Sequence, residues 1–221
     1  MVNAFDIVGP VMIGPSSSHT AGAVRIGLYA RTILGQSPIA ATIHFSGSFA
    51  KTYRGHGTDI AIIAGVLGMN TDDERIPDSF TIAQAQGLAF TFKTVDIENA
   101  HPNTVELFLE GDDGATLQLM GSSVGGGNIL LNEINHTPVS IDGTSDTLII
   151  PHKDTPGMVA VVSNLLGVCG MNINNISLHR EEKGGTAVMT IAIDGHFDAT
   201  VERIILKQED IFGVSYLKAL A

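Results

Sequence analysis

Apolar residues recur along this chain with two periods, and the switches between them mark strands and helices. Leu88, Phe90 and Phe92 alternate with polar neighbours, as do Val105, Leu107 and Leu109, then Leu117 and Leu119. A period of two is the mark of a half-buried strand. Ile39 to Phe45 and Ile129 to Leu131 read as further strands, and Val124-Gly125-Gly126-Gly127-Asn128 as a tight bend before the latter. Ala21 to Leu34 reads as a helix, and Ile60, Ile63, Ala64 and Leu67 mark another. Asp72, Asp73 and Glu74 read as a solvated turn.

The C-terminal third is the most regular. Thr147 to Ile150 is a strand. Thr155 is a suitable N-cap and Pro156 suits the first helical position after it. Met158, Val161, Val162, Leu165 and Leu166 then form one apolar helical face that Gly170 ends. A strand from Ile173 to Arg180, a turn from Glu181 to Gly185 and a strand from Thr186 to Asp194 follow. Asp198 caps a helix carrying Val201, Ile204 and Ile205, and Ile211 to Leu217 closes the set. The order β-α-β-β-α-β is the ferredoxin-like arrangement. Asp142-Gly143-Thr144-Ser145-Asp146 is a short polar linker. The expectation is an α/β (α+β) protein of two domains: residues 1–145, mixed α/β, and residues 146–221, ferredoxin-like.

Composition narrows the function. The 221 residues are 44% hydrophobic and 16% charged, enough for a real core. Net charge is −11, and no block of lysines or arginines occurs. Nucleic acid and anionic membrane surfaces are therefore not expected partners. The segment from Met1 to Gly14 lacks a basic start and carries Asp6, so it does not read as a signal peptide. Gly114 to Asn132 is uncharged, yet its glycines and serines make a poor membrane span. The expected location is cytoplasmic. The single cysteine, Cys169, excludes an internal disulfide and reads as a small buried hydrophobe. One thiol also excludes an iron–sulfur cluster ligated by cysteines of this chain alone.

Candidate chemistry sits in four loops. Gly14-Pro15-Ser16-Ser17-Ser18-His19-Thr20 leads straight into a helix. A helix N-terminus offers free N–H groups and a positive dipole end that receive a carboxylate or phosphate. His19 is the group there that can move a proton. The plainer alternative is a capped helix with an incidental histidine. Gly55-His56-Gly57-Thr58-Asp59 is a second hydroxyl-plus-imidazole loop before a helix, which Thr58 or Asp59 could cap. An imidazole titrating near ~6.5 can accept and return protons. In His101-Pro102-Asn103-Thr104, Asn103 could hold a carboxylate or amino group, or the stretch is a turn between strands. Ser122-Ser123-Val124-Gly125-Gly126-Gly127 could aim N–H groups at an anion. It lacks the lysine of a nucleotide loop and reads more simply as a flexible bend. The histidines at 44, 136, 152, 179 and 196 show no metal-ligand spacing and are assigned to surface or strand positions.

With Phe5-Asp6-Ile7-Val8-Gly9-Pro10, Gly14-Pro15-Ser16-Ser17-Ser18-His19-Thr20, Gly55-His56-Gly57-Thr58-Asp59, His101-Pro102-Asn103 and Val124-Gly125-Gly126-Gly127 in this order, the chain resembles the β subunit of the two-subunit, iron–sulfur-dependent bacterial L-serine dehydratase. The resemblance covers essentially the whole length. The N-terminal domain is similar to the allosteric substrate-binding domain of some D-3-phosphoglycerate dehydrogenases. The C-terminal segment, with Asp154-Thr155-Pro156-Gly157 before its first helix, looks like an ACT domain, a type that binds amino acids or pairs with its own kind.

The resemblance implies a lyase converting L-serine to pyruvate and ammonia, active only with an α subunit. It implies a 4Fe–4S cluster carried by that cysteine-rich α subunit, and no metal in this chain. By carry-over His56, then His19, are the catalytic histidines, with the choice of proton acceptor open. Ser16, Ser17, Ser18, Thr20, Thr58 and Asn103 would bind serine. Asp154, Thr155 and Gly157 would form a ligand loop in the ACT-like domain, which would also mediate self-association. The alternative is a non-catalytic regulatory module that senses serine.

Overall fold

The computed structural model describes residues 10–180 and 182–220. Phe5 to Gly9 of the first motif, and Glu181 of the expected turn, lie outside the described residues. The chain divides into two compact units, one of the residues up to His136 with Ser140–Asp142, the other of Thr137–Val139 and Gly143–Leu220. No helix among the described residues is long and apolar enough to cross a membrane.

The first unit opens with a π-helical turn, Ser17–Ala21, continuous with α1, Gly22–Leu34. There follow β1 (Pro38–Phe45), α2 (Gly47–Thr52), α3 (Thr58–Val66), a 3₁₀ turn (Ile76–Asp78), α4 (Ser79–Ala85) and β2 (Ala89–Thr94). Then come β3 (Thr104–Gly111), β4 (Thr116–Gly125), β5 (Asn128–Ile134) and β6 (Thr137–Ile141). The six strands form one sheet in the order β2-β1-β3-β4-β5-β6. β1 and β2 run parallel because α2, α3 and α4 carry the chain back between them, a connection a parallel pair requires. β3, β4 and β5 run antiparallel to their predecessors in the sheet.

Alternation along these strands decides which side chains meet the helices. Ala41, Ile43 and Phe45 of β1, Val105, Leu107 and Leu109 of β3, and Leu117 and Leu119 of β4 are all buried. Each fully buried Leu or Ile contributes about 1.5–3 kcal/mol. α3 is buried nearly all round, as an all-apolar helix must be. It lies so close to α1 that a Cβ on Gly65 would come 2.1 Å from the Val24 carbonyl oxygen, and one on Gly27 2.4 Å from that of Ile62. Only glycine permits that approach.

In the second unit β7 (Asp146–Lys153), α5 (Met158–Val168), β8 (Asn172–Arg180), β9 (Thr186–Asp194), α6 (Ala199–Leu206) and β10 (Ser215–Leu217) give the β-α-β-β-α-β order. The sheet order is β10-β7-β9-β8, all pairs antiparallel, so the unit is ferredoxin-like. Leu148, Ile150, Met189 and Ile191 of the sheet pack with Val162, Leu166, Val201 and Ile205 of the helices. Asp198 caps α6, accepting from the N–H groups of Thr200 and Val201.

Four local expectations need correction. Thr155 does not cap α5; Gly157 does, at φ 94°, with no side-chain cap, because Thr155 turns to donate to Asp210 Oδ2 at 3.0 Å. The buried stripe of α5 is Met158, Val162 and Leu166, while Val161 is left exposed. Ser122 and Ser123 belong to strand β4 rather than to a bend, because they pair with Leu130 and Ile129 across the hairpin. The turn there is only Gly126-Gly127. Cys169 is half-buried against the core, at the C-terminal end of α5, rather than enclosed by it.

Candidate active site

The π-helical turn gives the first loop its shape. Ser16 is its cap: Ser16 Oγ accepts the His19 backbone N–H at 3.2 Å, and the Gly22 N–H donates to the Ser17 carbonyl. A π-turn inserts a residue into the helical ladder, a feature frequent at functional sites. Here it leaves Ser16, Ser17, Ser18 and His19 half-buried and Thr20 buried.

The second loop meets the first. The rings of His19 and His56 lie 4.8 Å apart, centroid to centroid. The Phe49 ring meets His19 edge-on at 5.2 Å. His19 Nδ1 sits 3.4 Å from Ser16 Oγ, whereas Nε2 is buried with no hydrogen-bond partner. Burial first, and the neighbouring His56 second, push the His19 pKa below its ordinary value. The imidazole is thus held neutral near neutral pH. His56 is exposed.

Neither Thr58 nor Asp59 caps α3. Gly57 occupies the cap position at φ 68° and offers the helix no side-chain cap. Thr58 Oγ1 is instead buried without a partner, and so is Thr20 Oγ1. A buried hydroxyl left unpaired costs about 1–3 kcal/mol, so such groups call for a reason. Asp59 Oδ1 accepts from the Ile60 N–H, and burial raises its carboxyl above the usual range.

The third loop adjoins the sheet. The Asn103 N–H donates to His101 Nδ1 at 3.1 Å, and Asn103 Nδ2 donates to the Ser123 carbonyl at 3.4 Å. In return the Ser123 N–H donates to the Asn103 carbonyl at 3.0 Å. His101 is exposed, and the bond its Nδ1 accepts serves the turn. Ser123 stands in the fourth loop, where its neighbours Gly125 to Gly127 suggest a bend. Its place in alternation with Leu119 and Gly121 could have marked it as facing the helices.

Among the described residues no group of three or more His, Cys, Asp or Glu side chains is placed to hold a metal ion. With the single thiol on α5, the residues present do not fit a four-iron cluster. What the first unit does offer is hydroxyl donors at two helix starts beside a neutral imidazole, a setting for a small acidic molecule and one proton.

Comparison with known proteins gives the family. The serine dehydratase beta chain family model matches residues 3–86. The chain is 41% identical over 213 residues to the probable L-serine dehydratase, beta chain, of Bacillus subtilis (strain 168), covering 96% of both. The chain belongs to the L-serine dehydratase β-chain family. It is also 34% identical over 217 residues to the L-serine dehydratase, beta chain, of Peptoniphilus asaccharolyticus, covering 98% of both. A D-3-phosphoglycerate dehydrogenase of Bacillus subtilis (strain 168) is 25% identical over 176 residues, which span 79% of this β chain and 33% of that protein.

Proposed function

We propose that this chain supplies one half of an L-serine ammonia-lyase site, gripping serine and removing its α-proton, while a cysteine-rich α subunit carries the 4Fe–4S cluster. The observation that carries this reading is the His19–His56 ring contact at 4.8 Å, with His19 Nε2 buried and unpartnered. The α-proton of serine is weakly acidic, so its acceptor must be positioned and unprotonated at working pH. His19 meets both needs. With its proton on Nδ1, toward Ser16 Oγ, the lone pair of Nε2 is free to take the substrate's proton. His56, exposed beside it, orients the substrate and passes the proton to solvent. Ser16, Ser17, Ser18, Thr20, Thr58 and Asn103 hold the carboxylate and amino group.

Loss of the α-proton and the β-hydroxyl turns serine into aminoacrylate and water. Aminoacrylate tautomerises to the imine, which water hydrolyses to pyruvate and ammonia. Residues 1–145 are the substrate domain in this reading and residues 146–221 an ACT domain. Self-association through the latter is supported by β8, an edge strand exposing Ile176 and Leu178. The deciding experiment combines this chain anaerobically with its α subunit and assays pyruvate. Pyruvate is expected from the pair and from neither chain alone. Full activity of the α subunit alone, or of a pair carrying H19A and H56A together, overturns the proposal.

The relationship to a D-3-phosphoglycerate dehydrogenase supports a second reading, a regulatory serine-binding module. In that case the chain binds L-serine tightly by itself, and histidine substitutions shift Kd with no effect on turnover.

A further inference from the structure

Resting on the lyase reading above, we infer that Ser123 is a further substrate-binding residue of this site, its hydroxyl donating to the carboxylate of the amino acid. Ser123 is 0% exposed, and its Oγ has no hydrogen-bond partner among the described residues. The strand fixes where that hydroxyl lies. On β4 a Cβ added to Gly121 would come 3.3 Å from Ile26 Cγ2 of α1, so this face of the strand looks onto the helix. Ser123, two residues on, has the same face. A Cβ added to Gly22 would come 2.1 Å from Ser123 Oγ. The hydroxyl therefore sits against the first residue of α1, two residues after Thr20 and three after His19. Gly22 lies inside the continuous helical stretch that the π-turn opens, and the positive dipole end of that stretch lies back at Ser17, next to the Ser16 cap.

Its neighbour Ser122 makes the contrast. Ser122 Oγ lies 2.8 Å from Thr104 Oγ1 and donates to Asn132 Oδ1 at 3.2 Å. One serine of the pair is bonded within the sheet. The hydroxyl of the other is buried against Gly22 with no partner among the described residues, and the same lack of a partner marks the Thr20 and Thr58 hydroxyls and His19 Nε2. A buried hydroxyl free to donate matches a carboxylate, which accepts at both oxygens. The reciprocal bonds between Ser123 and Asn103 tie this strand end to a residue already assigned to substrate.

Ser123→Ala tests this in the chain paired with its α subunit. Calorimetric titrations with L-serine and with L-alanine, which lacks the β-hydroxyl, are compared with KM, kcat and the melting midpoint. The expected result is a rise of about tenfold in KM and in both dissociation constants, with kcat within about twofold. The melting midpoint stays the same or rises, since an unpaired buried hydroxyl has been removed. S122A is the control: it lowers the melting midpoint and leaves both titrations unchanged. Unaltered L-serine binding by S123A overturns the assignment. Weakened binding of L-serine with unaltered binding of L-alanine overturns it too, because the hydroxyl then serves the β-oxygen and not the carboxylate. Absence of pyruvate from the wild-type pair strikes the lyase reading alone, since the titrations still report on Ser123.

Discussion

Three polar loops in this β chain run into helices, and the one in the second unit ends differently from the two in the first. Before α5, Asp154 accepts from Arg180 Nη1 at 2.8 Å and from the Gly184 N–H at 3.0 Å, and Thr155 donates to Asp210. These hydrogen bonds hold the Asp154 carboxyl below its usual range, the Gly184 N–H being the stronger cause. Before α1 and α3, by contrast, the hydroxyls of Thr20 and Thr58 and His19 Nε2 are buried with no hydrogen-bond partner among the described residues. As sequence the three look alike, each carrying Thr and His close to glycine. The difference teaches that a polar loop satisfied by its own fold is spent on stability, whereas one left unsatisfied is reserved for a molecule outside the chain. His152 complicates the contrast: its Nδ1 contacts the Lys153 carbonyl oxygen at 2.8 Å while its Nε2 is buried and unpaired.

The largest expected effect is at the proton acceptor. H19A in the assembled enzyme lowers kcat by about 10²- to 10⁴-fold, measured as pyruvate released, with little change in melting midpoint. A loss below tenfold would erase the distinction between the loops of the two units. Gly65→Ala comes next, as a purely structural blow from the same unit. Its Cβ would meet the Val24 carbonyl oxygen, and overpacking of this kind costs about 1–3 kcal/mol, read as a lowered denaturation midpoint. Thr58→Val follows: it raises the L-serine KM by roughly tenfold, the value of one charge-assisted hydrogen bond of about 1.5 kcal/mol, without loss of stability. Thr155→Val is its mirror. It costs about 1 kcal/mol of stability through the lost bond to Asp210 and leaves L-serine binding as it was.

The smallest effect is on pH dependence. His19 has its folded pKa below the unfolded one, so between those two values the unfolded chain binds more protons and stability rises with pH. The contribution is present above about 6.5 and is lost as pH falls through the depressed value. The acid limb of kcat/KM accordingly lies below pH ~6.5. H56A removes the smaller, Coulombic cause and moves that limb upward, while burial, the larger cause, keeps it below the ordinary value. A limb above 7 would reverse the assignment of His19 as a neutral base.

The chain's own pattern determined a good deal. Period-two runs located β2, β3 and β4, the spacing of apolar residues located α3 and α5, and the βαββαβ order named the second unit, because each of these follows from local alternation against one core. The four chemistry-bearing loops were legible as clusters of hydroxyls and imidazoles beside glycines. Tertiary structure alone decided which of them are paired. Thr155 found Asp210, 55 residues away, and gave up its cap; Thr58 and Ser123 found nothing. Sequence spacing cannot foresee such outcomes, because a hydrogen-bond partner is set by what the sheet and helices bring within 3 Å. The contact of His19 with His56 and the seating of Ser123 against Gly22 are likewise products of packing, made possible where glycines let α1 approach both α3 and β4.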